Sequence, residues 1–355
     1  VRGALMKTKR IAAAFLAALC ALCAFSCTEK NDGVSDTVTE SHNDVSEPAA
    51  SVTEESTEVT SDLHNDLNDY VTVKETAPAM WRVTDDKTGN SIYMMGAMHM
   101  VTGYTYPLPD YIMNAYEECD GIAVEYDVSS MMSDFEQMQD FYAKLVYTDG
   151  TIVKDHLSEE TYEKAKKFMT ENMFYNQMMD VYCVGFWEVE IETAAMMKMK
   201  NLNEQGIDSM FLSLAQRDSK EIVNVESLDI QAAAMTSSSD ELVDYMINEL
   251  IDGCENVSEY TQGFAQQYDL WASGNIDALD ESDVQNEIPE ELEDDYAEYL
   301  DVILFDRNKG MAEKADEYLK EGKKYFLMVG AAHFAGEKGV DDILEEKGYT
   351  VERVA

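Results

Sequence analysis

Basic residues are scarce in this chain: 26 Lys and Arg stand against 71 Asp and Glu in 355 residues, a formal charge of −45. Phosphate backbones are held by clustered Lys and Arg, so the deficit excludes a nucleic-acid partner. It fits an acidic surface turned to water, or one that attracts cations. Cysteine is also sparse where it could matter. Of six cysteines, Cys20 and Cys23 lie in an N-terminal apolar run and Cys27 follows it. Cys119, Cys183 and Cys254 remain, an odd set without CxxC spacing. That set gives neither a disulfide framework nor a zinc–thiolate site. Cys119 reads as a small buried residue at a helix end. Histidine is rarer still, at five, and no internal repeat is visible.

The apolar run IAAAFLAALCALCAF (residues 11–25) is short for a membrane span and has no stop-transfer flank. Basic MKTKR precedes it and Ser26-Cys27 follows. This is the layout of an export signal, and it resembles a bacterial lipoprotein signal in which Cys27 becomes the lipidated first residue. Residues 1–27 are therefore expected to be signal, with Met6 the natural start. The protein is then expected outside the cytoplasm, held to the membrane by its N-terminal lipid. Residues 28–72 are rich in Ser, Thr, Asp, Glu and Asn. Such a segment buries too little apolar area to offset its ordering entropy, so it reads as a disordered acidic linker carrying a solvated His42 and His64.

From Val73 to Ala355 the pattern is that of a folded domain, and 45% hydrophobic content suffices for a core. AMWRVTD and NSIYMMG read as strands around the turn DDKTGN. LPDYIMNAYEEC is a helix with Ile112, Met113 and Tyr116 on one face, and GIAVE is a buried strand ending near Glu125. The stretch from about 129 to 299 is mostly helical, with Ser158 an N-cap and KEIVNVES a short strand. The chain then returns to alternation: a helix through FDRNKGMA, the strand KKYFLMVGAAH, a helix at GVDDILEE and the strand YTVERVA. The expected fold is α/β: a mixed central sheet built from the N- and C-terminal parts, with a large helical insertion. The 22 methionines read as core filling.

Two histidines share one setting. IYMMGAMH and YFLMVGAAH each place an apolar strand, then a glycine, then a histidine three residues on: Gly96 with His99, and Gly330 with His333. At a glycine frequency of roughly 7%, two such pairs among the three histidines beyond the linker arise by chance about once in seventy. Ligands in such sheets bind beyond the carboxyl ends of strands, and a glycine there permits a sharp turn or a close approach. Two histidines so placed can converge on one divalent metal, and Glu125, ending GIAVE, is the third candidate ligand. A His/Glu/His set with open positions suits Zn²⁺, Mn²⁺ or Co²⁺ and hydrolytic chemistry. Glu125 would complete the shell or act as general base. Arg307, a rare cation facing carboxylates, would stabilise the oxyanion. His156 precedes a helix and is set aside as local.

In order and spacing, GAMH (96–99) with Leu108-Pro109, Val124-Glu125, Gly206-Ile207-Asp208, Val225-Glu226 with Gln231, WASG (271–274), Arg307-Asn308, GAAH (330–333), Gly339-Val340 and Lys347-Gly348-Tyr349 resemble the TraB/GumN family. That family is related to the Tiki proteases and, more distantly, to haem-binding ChaN proteins and erythromycin esterases. It often has Thr at the place of Ala97 and Leu at that of Phe334. The resemblance implies an α/β core with helical insertions and a metal-dependent hydrolase, with a peptide or protein substrate in the Tiki branch. It gives Asp208, Glu226 and Asn308 as residues supporting the ligands. The alternative it leaves open is a surface protein that binds a peptide, a metal or haem without turnover.

Overall fold

The computed structural model describes residues 65–203, 205–279 and 288–354. The expected signal, Cys27 and the linker as far as residue 64 lie outside these. Among the described residues there are eight strands: β1 (Met80–Thr84), β2 (Ser91–Ala97), β3 (Val101–Thr102), β4 (Gly121–Val124), β5 (Leu202–Asn203), β6 (Glu221–Asn224), β7 (Tyr325–Gly330) and β8 (Thr350–Arg353). Six form one sheet in the order β6-β4-β7-β2-β1-β8. β6, β4, β7 and β2 run parallel, and β1 and β8 are antiparallel to their neighbours. The fold is thus the α/β class with a mixed sheet that the sequence indicates. Strands from both ends of the domain meet in it, and β6, from within the helical middle, joins its edge.

The central strands show why they pair in parallel. All of β4, and β7 from Tyr325 to Val329, are buried, so both faces are covered, as continuous apolar runs require. The helices are α1 (Asp110–Glu118), α2 (Val128–Ser133), α3 (Phe135–Lys144), α4 (Val153–His156), α5 (Glu159–Glu171), α6 (Val184–Met196), α7 (Ile207–Asp218), α8 (Leu228–Thr236), α9 (Asp240–Glu255), α10 (Val257–Ala272), α11 (Glu293–Leu300), α12 (Asp306–Glu321) and α13 (Val340–Glu346). Their starts follow from local chemistry. Ser158, Ser227 and Ser239 each accept a backbone N–H from the first turn of the helix they precede, which satisfies an otherwise orphaned donor. Ile112 and Tyr116 of α1 are buried, and Cys119 lies buried at its end. Cys119, Cys183 and Cys254 are free. No helix among the described residues is long and apolar enough to cross a membrane.

Packed structure begins before Val73, earlier than composition indicates. Leu67 and Val71 are buried, Leu67 donates its amide to the Lys200 carbonyl, and Asp269 receives the amides of Thr72 and Val73. Two apolar anchors suffice to draw this polar segment onto the domain, which a compositional average does not register.

Candidate functional site

The four parallel strands end side by side, and each delivers one polar residue just past its last paired position. In sheet order these are Glu226 after β6, Glu125 after β4, His333 after β7 and His99 after β2. Pairing of the first two chains continues beyond the strands, since Val225 donates to the Val124 carbonyl and Glu226 to that of Glu125. The two carboxylates are therefore held as neighbours by backbone, and the site lies where ligands bind in sheets of this kind.

The two glycines act on each other's partners. Gly96 lies inside β2, and a Cβ there would stand 2.8 Å from the Ala331 Cα. Its absence lets the turn carrying His333 pack onto β2. A Cβ on Gly330 would stand 3.1 Å from Glu125 Oε1, and its N–H donates to that oxygen at 2.5 Å. Of the two uses of a glycine at a strand end, close approach is the one seen: each glycine makes room for a residue of a neighbouring strand. Trp271 Nε1 donates to the Gly96 carbonyl at 2.9 Å, fixing the end of β2 from α10.

His333 is buried, and its tautomer is set by a chain of donors. Asn308 Nδ2 donates to the Lys338 carbonyl, which can only accept. Asn308 therefore turns its Oδ1 to His333 Nδ1, 2.6 Å away, and Nδ1 carries the proton. Nε2 is left unprotonated, 3.7 Å from Glu125 Oε1. Burial, helped by the Arg307 charge, pushes the His333 pKa down to about 3 against the pull of Glu125. The ring is neutral at physiological pH, the form a metal requires.

Arg307 stands between the carboxylates. Its Nε and Nη2 donate to the two oxygens of Glu226 at 2.8 and 2.9 Å, and Nη2 also reaches Glu125 Oε2 at 2.8 Å. Nη1 donates to the Ile303 carbonyl, in a π-helical turn (Asp301–Phe305) that joins α11 to α12. All three guanidinium nitrogens are engaged with the protein, and the side chain is 3% exposed. The contacts are those of a residue that fixes Glu125 and Glu226. Burial disfavours the ionised form of Glu125, yet Arg307, His333, His99 and the Gly330 N–H together hold its pKa down at about 2. The Glu226 carboxyl is raised by burial and by the Glu125 charge, against the pull of Arg307. One cation serves two acids, and Glu125 keeps the greater share of the charge. Gln231 donates to Glu226 Oε2 and lies 3.4 Å from Glu125 Oε2.

His99 is placed by α7. A Cβ on Gly206 would overlap the His99 carbonyl at 2.1 Å, and Ile207 donates to the Met98 carbonyl. This close docking brings Asp208 Oδ2 to 3.2 Å from His99 Nδ1, a charge contact whose alignment is too poor for a hydrogen bond. Burial lowers the affinity of His99 for a proton, but Asp208 and then Glu125 overcome it and raise the pKa to about 9. His156 lies elsewhere, stacked on Tyr147 and bonded through Nδ1 to Asp240.

These shifts set the site's share of the pH response of the metal-free protein. His333 and Glu125 have lower pKa values folded than unfolded, so the unfolded chain binds more protons as pH falls below about 6.5. Stability is then lost at up to about 1.4 kcal/mol per pH unit for each proton, more steeply once Glu125 joins below about 4.5. His99 has the opposite shift. Its contribution is full below about 6.5 and is lost as pH rises towards 9. Glu188 and Asp341, raised by burial to about 7, act in the opposite sense between pH 4 and 7, so the test is a difference: the denaturant midpoint of wild type relative to His333→Gln is expected to rise from pH 4 to about 6.5 and then level. A flat profile would contradict the arrangement.

His99, Glu125, Asp208, Gln231 and Gly330 line one cleft. Among the described residues no group of three or more His, Cys, Asp or Glu already has the disposition of a metal site. Two donors do fit one ion. Ligands at about 2.0–2.2 Å from a common centre stand roughly 3.3–3.6 Å apart at tetrahedral angles, and His333 Nε2 and Glu125 Oε1 are 3.7 Å apart. His99, whose charge acts on both, is the third candidate, and would give up its proton to a bound cation. The set is nitrogen and carboxylate oxygen, suited to first-row divalent ions.

Comparison with known proteins agrees in part with the motifs. The model of the TraB/PrgY/gumN family matches residues 79–353. The metalloprotease TIKI2 of Xenopus tropicalis is 23% identical over 333 residues, covering 81% of this chain and 60% of that protein. The chain thus spans about 60% of the length of that relative. No solved structure matches it. The chain belongs to the TraB/PrgY/gumN family.

Proposed function

We propose that this TraB/PrgY/gumN protein is a metal-dependent hydrolase acting on peptides, tethered outside the cytoplasm through lipid on Cys27. The observation that carries the reading is the neutral His333, whose unprotonated Nε2 lies 3.7 Å from the ionised Glu125 Oε1. Asn308 satisfies the buried Nδ1–H, as any buried imidazole requires, and by doing so leaves Nε2 free of a proton. His333, Glu125 and His99 would hold a divalent cation such as Zn²⁺, Mn²⁺ or Co²⁺. The cation would supply a Lewis acid at the substrate carbonyl.

The rest is the work of the chain. Glu125 stays ionised, so its Oε1 can bind the cation or take the proton of an attacking water. Arg307 and the Gly330 N–H keep that carboxylate in one orientation. Asp208 holds the Nδ1 side of His99, leaving the other ring nitrogen to the cleft. The name of the distant relative supports a proteolytic reading.

The test is incubation of the purified chain with a diverse peptide mixture and product analysis by mass spectrometry. Cleavage that needs added Mn²⁺, Co²⁺ or Zn²⁺ and stops with chelator is the expected result. Tight metal binding without products under any of these ions would replace the hydrolase with a binding protein.

A further inference from the structure

Gln231 has one end of its amide tied down and the other open. It stands in the first turn of α8, whose start Ser227 caps. Glu226 lies just before that helix, so the turn from β6 into α8 is enough to bring amide and carboxylate together. Nε2 donates to Glu226 Oε2 and reaches Glu125 Oε2 at 3.4 Å. Both oxygens already accept from Arg307. A carboxylate oxygen repels an amide oxygen, so the amide has one orientation, with Nε2 on the acids.

Oε1 is in a different position. Among the described residues no donor reaches it, and it is not one of the polar atoms sealed from solvent without a partner. Gln231 is 4% exposed and lines the cleft with His99, Glu125 and Asp208, so the opening that Oε1 meets is that cleft. Much of the remaining lining is apolar, and the room is little more than a water molecule needs. An acceptor in so closed a place is unfavourable without a donor, and the donor has to be small. The oxygen and nitrogen of one amide stand about 2.2 Å apart, as its bond lengths require. Oε1 therefore lies within about 5.6 Å of Glu125 Oε2. One water with two hydrogen bonds of about 2.8 Å spans up to that distance.

We infer that Gln231 Oε1 and Glu125 together seat the water that attacks the substrate carbonyl, which makes Gln231 a catalytic residue. The inference rests on the hydrolase reading for the target of that water. Each acceptor takes one hydrogen of the water, and the lone pairs are thereby turned away from both acceptors, towards the substrate. As the water oxygen bonds to the carbonyl carbon, one of its protons passes to Glu125. The C–N bond then breaks, and the leaving nitrogen takes that proton. Gln231 neither gains nor loses a proton and acts by direction alone. An amide suits this place because it accepts from the water without adding a third charge beside Glu125 and Glu226.

The experiment is a crystal structure of the full chain prepared with chelator, at a resolution that shows waters, repeated for Gln231→Met. That variant keeps the length of the side chain and removes the acceptor. One ordered water is expected in the wild type, about 2.6–3.2 Å from Gln231 Oε1 and from a Glu125 oxygen, and none at that place in the variant. In the metal-loaded proteins kcat should fall about 100-fold in Gln231→Met, the cost of a misplaced reactant, with KM within about twofold. No such water in the wild type, the same water kept in Gln231→Met, or wild-type kcat in the variant overturns the seat. The wild-type crystal decides the matter even if the variant does not fold. Absence of cleavage by the metal-loaded wild type removes the hydrolase reading and with it the water's target, whereas the contact of the water with Oε1 stands or falls by the crystal alone.

Discussion

Arg307→Ala is expected to cost about 3–5 kcal/mol of stability, the range for removing one partner of a buried ion pair. The guanidinium is almost fully enclosed and bonds both Glu125 and Glu226. Its loss leaves two buried acids side by side with no counter-charge. One of them must take a proton, against the lowered pKa of Glu125 or with the already raised pKa of Glu226. Glu226 is the one expected to yield. Adding Glu226→Gln to Arg307→Ala should therefore restore part of the loss, about 1–3 kcal/mol, because a neutral amide needs no counter-ion. Urea titrations of the three proteins measure this directly, with equal m-values as the control for an unchanged unfolding reaction. A loss under about 1 kcal/mol, the worth of a surface pair, would mean that Arg307 is not buried between the acids.

His333→Ala is expected to lower divalent-metal affinity by more than about 100-fold, beyond the 10–100-fold that removal of an outer-sphere partner costs, and to abolish metal-dependent cleavage with it. Asn308→Ala belongs in the same experiment. It leaves the ring in place but removes the acceptor that fixes Nδ1–H, so its loss should fall within that 10–100-fold range. The order His333→Ala, then Asn308→Ala, then wild type is the signature of a ligand and the residue that aims it. Calorimetric titration with Mn²⁺ or Zn²⁺ reads it without any substrate. Wild-type affinity in His333→Ala would sink the metal site, and equal losses in both variants would reduce Asn308 and His333 to a common packing role. The buried ring also contributes to the core, so thermal unfolding of each metal-free variant separates lost ligation from lost structure.

Much of this architecture can be read from local pattern. Apolar runs such as YFLMV and GIAV are buried on both faces, and a run that is apolar at every position has no other use in a short strand. Serines 158, 227 and 239 mark helix starts because capping is a contact within one turn. The repeated glycine–histidine spacing singled out both histidines, since each stands three residues after a glycine at or near a strand end. The sequence by itself therefore determined the six strands of the main sheet, though not the short β3–β5 pair, most of the helices, and candidate residues for the strand ends.

Only the tertiary structure decided which of those ends are neighbours. The order β6-β4-β7-β2 sets Glu226, Glu125, His333 and His99 in a row that the chain order does not contain. Arg307 reaches Glu125 across 182 positions of sequence, and its work as the tie between two acids depends on α12 passing behind them. Gly96 serves His333, and Gly206 serves His99, through backbone approaches between segments far apart in the chain. The early docking of Leu67 and Val71 is of the same kind. Periodicity and capping record what a residue meets within a turn or a pleat. Contact across a sheet or between packed backbones is fixed by closure of the whole fold, and it is there that the protonation states of His99, Glu125 and His333 are set.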